Sequence, residues 1–140
     1  MPVERGPIAQ RKIIIDRIFA ADRVEDILGA LDREGTSKSA DAAWARKTAA
    51  TIRTKSPLSL KIALAQVRRG KNWDFETCMR AEFRIVSRIV EGHDFYEGVR
   101  AVIVDKDNEP RWRPAALAEV GDGDVERHFA PLGTAELVLP

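Results

Sequence analysis

The run "HDFYEGVRAVIVDKDNEPRWRP", residues 93–114, gathers a histidine, two acidic residues and an arginine around a short apolar stretch. Asp94 and Glu97 stand three residues apart, which places both on one turn of a helix. A carboxylate pair at that spacing suits acid–base work. It equally suits a capping box, with Asp94 as the cap and Glu97 reaching back to the cap's N–H. The capping reading accounts for both residues, with Arg100 pairing with Asp94 or Glu97. Phe95, Val99, Val102 and Ile103 then bury one face of the same helix. Asp107, Asn108 and Pro110 favour a turn, and Trp112, bracketed by Pro110 and Pro114, lies along something apolar.

Elsewhere the chemical inventory is thin. His93 and His128 are the two histidines of the chain, each at an expected helix boundary. With a single cysteine they do not supply a zinc ligand set. Cys78 falls within a helix with no neighbouring histidine to activate it, so it reads as a packed thiol. Gly121 and Gly123 follow no strand, and no phosphate-cradling loop is present. From its residues alone the chain is a helical module without a self-contained active site.

The elements that must hold these residues are helices. "ADRVEDILGALDREG" sets Val24, Ile27, Leu28 and Leu31 at helical spacing, with Asp22 and Glu25 as a capping-box entry and Gly35 as the stop. "KSADAAWARKTAATIRTKS" carries Ala45, Ala49 and Ile52 on one stripe, a pattern for close helix packing. In "SPLSLKIALAQVRRG" Ser56 caps and Pro57 takes the first helical position. Leu60, Leu64 and Val67 form the expected buried line, Arg68 and Arg69 suit the last turn, and Gly70 closes it. "DFETCMRAEFRIVSRIVEG" starts at Asp74 and stops at Gly92, with Met79, Phe83, Val86 and Val90 inward. Arg80, Arg84 and Arg88 recur on a solvated face, partnered by Glu76 and Glu91. A last short helix, capped by Asp122 or Asp124, carries Val125 and Phe129, and "AELVLP" is a docked extended tail.

A length of 140 residues fits one domain with a modest core. Charged residues make up 32% of the chain, yet the net charge is +1, which gives no field for nucleic acid or an anionic membrane. The lone thiol excludes an internal disulfide framework and suits a reducing compartment. No apolar run reaches membrane-spanning length, and "MPVERGPIAQRK" lacks the apolar centre of a secretory signal. A soluble, cytoplasmic protein is expected.

The run Ser56, Pro57, Ser59, Leu60, Lys61, followed by Asp94, Phe95, Glu97, Gly98, Val99, Arg100, Ala101, then Asp105, Lys106, Asp107, then Pro110, Trp112, Pro114, resembles the C-terminal part of 3-hydroxyisobutyryl-CoA hydrolases. These are a branch of the crotonase (enoyl-CoA hydratase/isomerase) superfamily. The resemblance runs from about Ile13 to about Phe129. Leu58 stands where many relatives carry a small polar residue, a local packing change.

The resemblance implies a mainly α fold: the helical C-terminal region of a crotonase-like protein, without its β-β-α spiral core. It implies a leader over 1–12, a helical domain over 13–115, and a short helix with an extended tail over 116–140. Members are more than twice this length. Their first part holds the oxyanion hole and the acidic catalytic residues. Thioester hydrolysis needs backbone N–H donors aimed at the developing oxyanion and a carboxylate for the attacking water. The donors are absent here, so no residue is assigned as catalytic, and neither a metal nor a cofactor is expected. Acyl-CoA is the substrate of the full-length family and a partner only together with the missing core. By resemblance, Phe95 and Val99 line a wall under the acyl group, and Lys106 or Arg100 faces the CoA phosphates. A hydratase/isomerase fragment is one alternative. The other is a non-enzymatic module that self-associates, or packs on a crotonase core, through the Ala45/Ala49/Ile52 or Met79/Phe83/Val90 faces.

Overall fold

A computed structural model describes residues 6–139. Among them every regular element is helical: α1 (Pro7–Gln10), α2 (Lys12–Ile18), α3 (Val24–Gly35), α4 (Ala42–Arg53), α5 (Pro57–Gly70), α6 (Phe75–Ile89), α7 (His93–Val99) and α8 (Asp122–Phe129). A π turn, Arg100–Val104, continues α7, and short 3-10 turns cover Leu117–Glu119 and Gly133–Ala135. The expected mainly α class holds. No helix among the described residues is long and apolar enough to cross a membrane. Of the expected leader, residues 1–5 lie outside the described residues.

The chain forms two compact units that divide between Thr54 and Lys55. That differs from a single span over 13–115 with a separate tail. Residues 116–129 are no appendage: Val120, Val125 and Phe129 share one core with Ile62 and Ile85.

In the first unit α3 packs on α4. Val24, Ile27, Leu28 and Leu31 are buried at the helical spacing read from the sequence, and Leu31 is fully enclosed at 0% exposure. Ala45 and Ala49 are buried as well, at 0% and 2%. Small side chains there let the two backbones approach. Gly35 serves the same end, since a Cβ on it would stand 2.8 Å from Arg46 Cγ. Arg46 in turn donates to the Gly35 carbonyl. Ion pairs bind the margins, Arg53 to Asp32 and Arg17 to Glu34, both at 2.6 Å. Surface pairs of this kind add little each, so apolar burial sets the stability. The expected Asp22 cap is not used: α3 begins at Val24, and Arg23 occupies the cap position.

The second unit is built on α5, α6 and α8. Ser56 Oγ accepts from Ser59 N at 3.2 Å and Asp74 Oδ1 from Thr77 N at 2.8 Å, so both expected caps are in place. The apolar faces are not those expected. Helix α5 turns Leu58, Ile62 and Ala65 to the core and leaves Leu60 and Leu64 half-buried and Val67 70% exposed. Helix α6 buries Ala81 and Ile85, with Ile89 packed beside them, and exposes Met79, Phe83 and Val86, as well as Val90 at its C-terminal cap. Each helix carries two apolar stripes, and α8 decides which is inside. Arg69 illustrates the latch: its guanidinium lies 4.3 Å above the Phe129 ring and pairs with Glu126.

The arginine stripe of α6 is only partly a solvated face. Arg80 pairs with Glu76 as expected, at 3.2 Å. Arg84 instead clamps the C-terminal tail through Glu136, 2.8 Å away, and the Phe129 carbonyl. Arg88 reaches the Pro131 carbonyl at 3.2 Å rather than Glu91. The C-terminal tail is therefore docked on α6 through the Arg84–Glu136 pair.

Leu31→Ala leaves a cavity with no side chain free to fill it, and about 3 kcal/mol of stability is expected to go. Urea unfolding of the two proteins side by side measures it; a loss within error of zero would show that α3 is not the centre of the first unit.

Candidate functional site

The acidic residues of 93–114 do not cap α7. That helix begins at His93 with Gly92 at the cap position and no side-chain cap bond. The reason lies in the segment that follows the π turn. Residues 111–113, between Pro110 and Pro114, belong to no helix or strand, so their N–H groups need acceptors from elsewhere. Asp94 and Glu97, one turn apart on α7, provide them. Asp94 Oδ1 accepts from Arg113 N at 2.8 Å, and Glu97 Oε1 accepts from Arg111 N at 2.7 Å. Asp94 Oδ2 also accepts from Ser56 Oγ at 2.5 Å, which ties the start of α5 to α7. His93 Nδ1 sits 3.0 Å from Asp94 Oδ1.

Between the two anchored N–H groups, Trp112 lies over Gly98: a Cβ there would stand 3.4 Å from the ring carbon Cη2. The glycine lets the indole rest on the helix backbone. The Arg113–Pro114 peptide is cis.

Arg100, at the first position of the π turn, is the hub. Its Nε and Nη2 meet the two Glu97 oxygens at 3.0 and 2.8 Å. Nη1 meets Asp105 at 2.7 Å and Asp107 at 2.6 Å, and Nη2 also meets the Glu109 carbonyl at 3.1 Å. A guanidinium has five N–H donors, and these five contacts use them all. The charge-assisted bonds from Arg100, with the Arg111 N–H, hold Glu97 down to a pKa of about 2. The same contacts lower Asp107 and raise Arg100. Three carboxylates around one cation leave the site acidic. A phosphate would find no free donor on Arg100 and a repelling surround.

The other expected site residues fall as follows. Lys106 is exposed in the loop after the π turn, at φ 57°, and Asn108 at φ 56° shares that left-handed conformation. Phe95 is 46% exposed, its ring edge-on to Tyr96. Val99 is half-buried, whereas Val102 and Ile103 are exposed and Ala101 is the buried member. The expected inner face Phe95/Val99/Val102/Ile103 is thus not inside. The π turn adds a residue to the helical turn and rotates the later side chains away from the earlier stripe. Among the described residues no group of three His, Cys, Asp or Glu is placed to hold a metal ion. Cys78 is half-buried.

Sequence reasoning missed the role of Asp94 and Glu97 as acceptors for the proline-bracketed segment. The signal was there: two prolines bracket a stretch that cannot pair as a central strand, and two carboxylates sit one turn apart nearby.

A family model described as enoyl-CoA hydratase/isomerase matches residues 2–129. The 3-hydroxyisobutyryl-CoA hydrolase of Gallus gallus, named as mitochondrial, is 42% identical over 125 residues, covering 89% of this chain and 31% of that protein. The Homo sapiens protein of the same name is 39% identical, over 88% of this chain and 30% of its own length. Among solved structures, one described as a carnitinyl-CoA dehydratase from Mycobacterium thermoresistibile superposes with a TM-score of 0.83 at 37% identity, covering 99% of this chain and 38% of that one. The chain therefore spans about a third of the length of the curated relatives it matches. These matches do not support a C-terminal placement within the relatives, nor a cytoplasmic location.

Glu97 is ionised in every contact described, so its share of stability is full above about pH 4.5 and lost as pH falls toward about 2. Arg100→Met removes the main cause of the depression. The Glu97 carboxyl midpoint, followed by carbon-13 NMR, is expected to move up toward 4.5, and the acid-unfolding midpoint with it. An unmoved Glu97 midpoint would show that Arg100 is not what holds it.

Proposed function

This chain belongs to the enoyl-CoA hydratase/isomerase family, and from that premise we propose that it is the helical portion of an acyl-CoA thioesterase of the 3-hydroxyisobutyryl-CoA hydrolase type. On this reading it supports the acyl-CoA pocket and does not cleave the thioester unaided. One observation carries the proposal: nearly the whole chain aligns with hydrolases of that name, yet it spans less than a third of them. What lies within that third is helical among the described residues, and the two carboxylates of α7 are engaged by backbone. Asp94 and Glu97 hold backbone N–H groups, and neither faces an oxyanion donor pair of the kind hydrolysis needs.

The exposed stripes fit the same reading. Met79, Phe83 and Val86 on α6, Val90 at its C-terminal cap, and Val102, Ile103 and Val104 on the π turn present apolar surface that a lone domain does not normally leave in water. The rest of a crotonase-type polypeptide is the proposed cover, with Phe95 and Val99 turned to the acyl group. Of the two cations considered for the CoA phosphates, Lys106 is the better placed, because Arg100 has no donor left. Self-association through Met79, Phe83 and Val90 is the second reading. Its Ala45/Ala49 counterpart is withdrawn, since those residues are buried in the first unit. On this reading the chain follows the core, as its resemblance to the C-terminal part of such hydrolases implies, and works in the cytoplasm.

The 140-residue chain alone is expected to leave 3-hydroxyisobutyryl-CoA intact. A longer polypeptide with the core encoded in frame upstream of Met1 is expected to hydrolyse it. Turnover by the chain alone ends the proposal, and a core encoded downstream instead ends the placement. For the second reading, Phe83→Glu is expected to dissolve any oligomer seen by light scattering; a monomer at all concentrations removes self-association.

A further inference from the structure

We infer that the second unit holds a binding site for a phosphate group, in a cavity of about 460 Å³ between α6, α7, α8 and residues 113–114. Arg88, Arg113 and Arg127 line it, brought together from three separate elements. Elsewhere in this unit Arg69, Arg80, Arg84 and Arg100 each meet a carboxylate. The cavity's three do not, among the described residues. Arg88 donates only to the neutral carbonyls of Arg84 and Pro131. The Arg113 and Arg127 side chains have no partner among the described residues.

His128 adds a buried polar wall. It is 4% exposed, and its Nδ1 lies 2.8 Å from the Asp124 carbonyl. A carbonyl only accepts, so Nδ1 carries the hydrogen, and Nε2 of the neutral ring is left to accept from the P–O–H of a singly protonated phosphate group. The acidic side of the lining sets the limit on what fits. Glu91 and Asp124 also border the cavity, and Asp124 Oδ2 is already taken by the Gly121 N–H at 2.9 Å. Three cations against two carboxylates favour one anionic group and give no track for a polyanion. Guanidinium pairs match the fixed oxygen geometry of a phosphate. The volume exceeds what one phosphate needs and leaves room for the body of a small phosphate ester. The site stands apart from the family reading, since it uses none of the residues proposed there.

Calorimetric titration of the full chain with inorganic phosphate, and in parallel with ribose 5-phosphate, tests it. Either ligand binding saturably in the millimolar range or tighter supports the site, and the tighter of the two identifies free phosphate or a phosphate ester as its occupant. Arg113→Gln and Arg127→Gln touch no bond of the fold and are each expected to weaken binding about tenfold. Arg111→Gln removes the same charge outside the cavity and is expected to leave affinity within about twofold. No saturable binding of either ligand overturns the site, and so do equal losses in all three variants, which would indicate only a diffuse field.

Discussion

The need of a short irregular segment for backbone hydrogen-bond acceptors governs the joint between α5 and α7. Residues 111–113 are bracketed by proline and belong to no helix or strand. Backbone donors left without acceptors cost far more than surface ion pairs return. Asp94 and Glu97 resolve this from α7, Arg100 braces Glu97 and the preceding loop, and Trp112 is thereby laid on Gly98. Ser56, itself the cap of α5, is drawn into the same network through Asp94. The cluster of Ser56, Asp94, Glu97 and Arg100 forms a joint between α5, α7 and the proline-bracketed segment.

That joint bears on how the family resemblance is to be understood. The residues quoted for it (the Ser-Pro helix start, the Asp-x-x-Glu-Gly turn, the Asp-Lys-Asp loop and the bracketed tryptophan) touch one another. Ser56 meets Asp94, Glu97 meets Arg100 and the Arg111 N–H, Arg100 meets Asp105 and Asp107, and Gly98 meets Trp112. A motif spread over nearly sixty positions is one contact set. It identifies the family through folding chemistry and is silent on the thioester.

Helix positions were legible because local rules decide them. Ser56 before Pro57, Asp74 before an apolar-periodic run, and the Val24/Ile27/Leu28/Leu31 spacing all depend on neighbours within a turn or two. The inward faces of α5 and α6 were not legible, for a specific reason. Each helix has a second apolar stripe about as strong as the first, and periodicity cannot rank them. Only the arrival of Val125 and Phe129 from α8 selects Ile62 and Ile85. The π turn misled in the same way: a steady helical spacing was assumed through Arg100–Val104, where one extra residue per turn turns Val102 and Ile103 outward.

What the amino-acid order determined by itself is the helical class, most of the helix starts and the family membership. These rest on short-range hydrogen bonding and on residue types. What the tertiary structure alone decided is which faces are buried, that Arg100 has no donor to spare, and that Arg88, Arg113 and Arg127 share one cavity. The buried faces and the shared cavity depend on contacts between residues well separated in the chain, which leave no periodic trace; the partners of Arg100 lie within nine positions of it but are gathered by the π turn and the loop that follows.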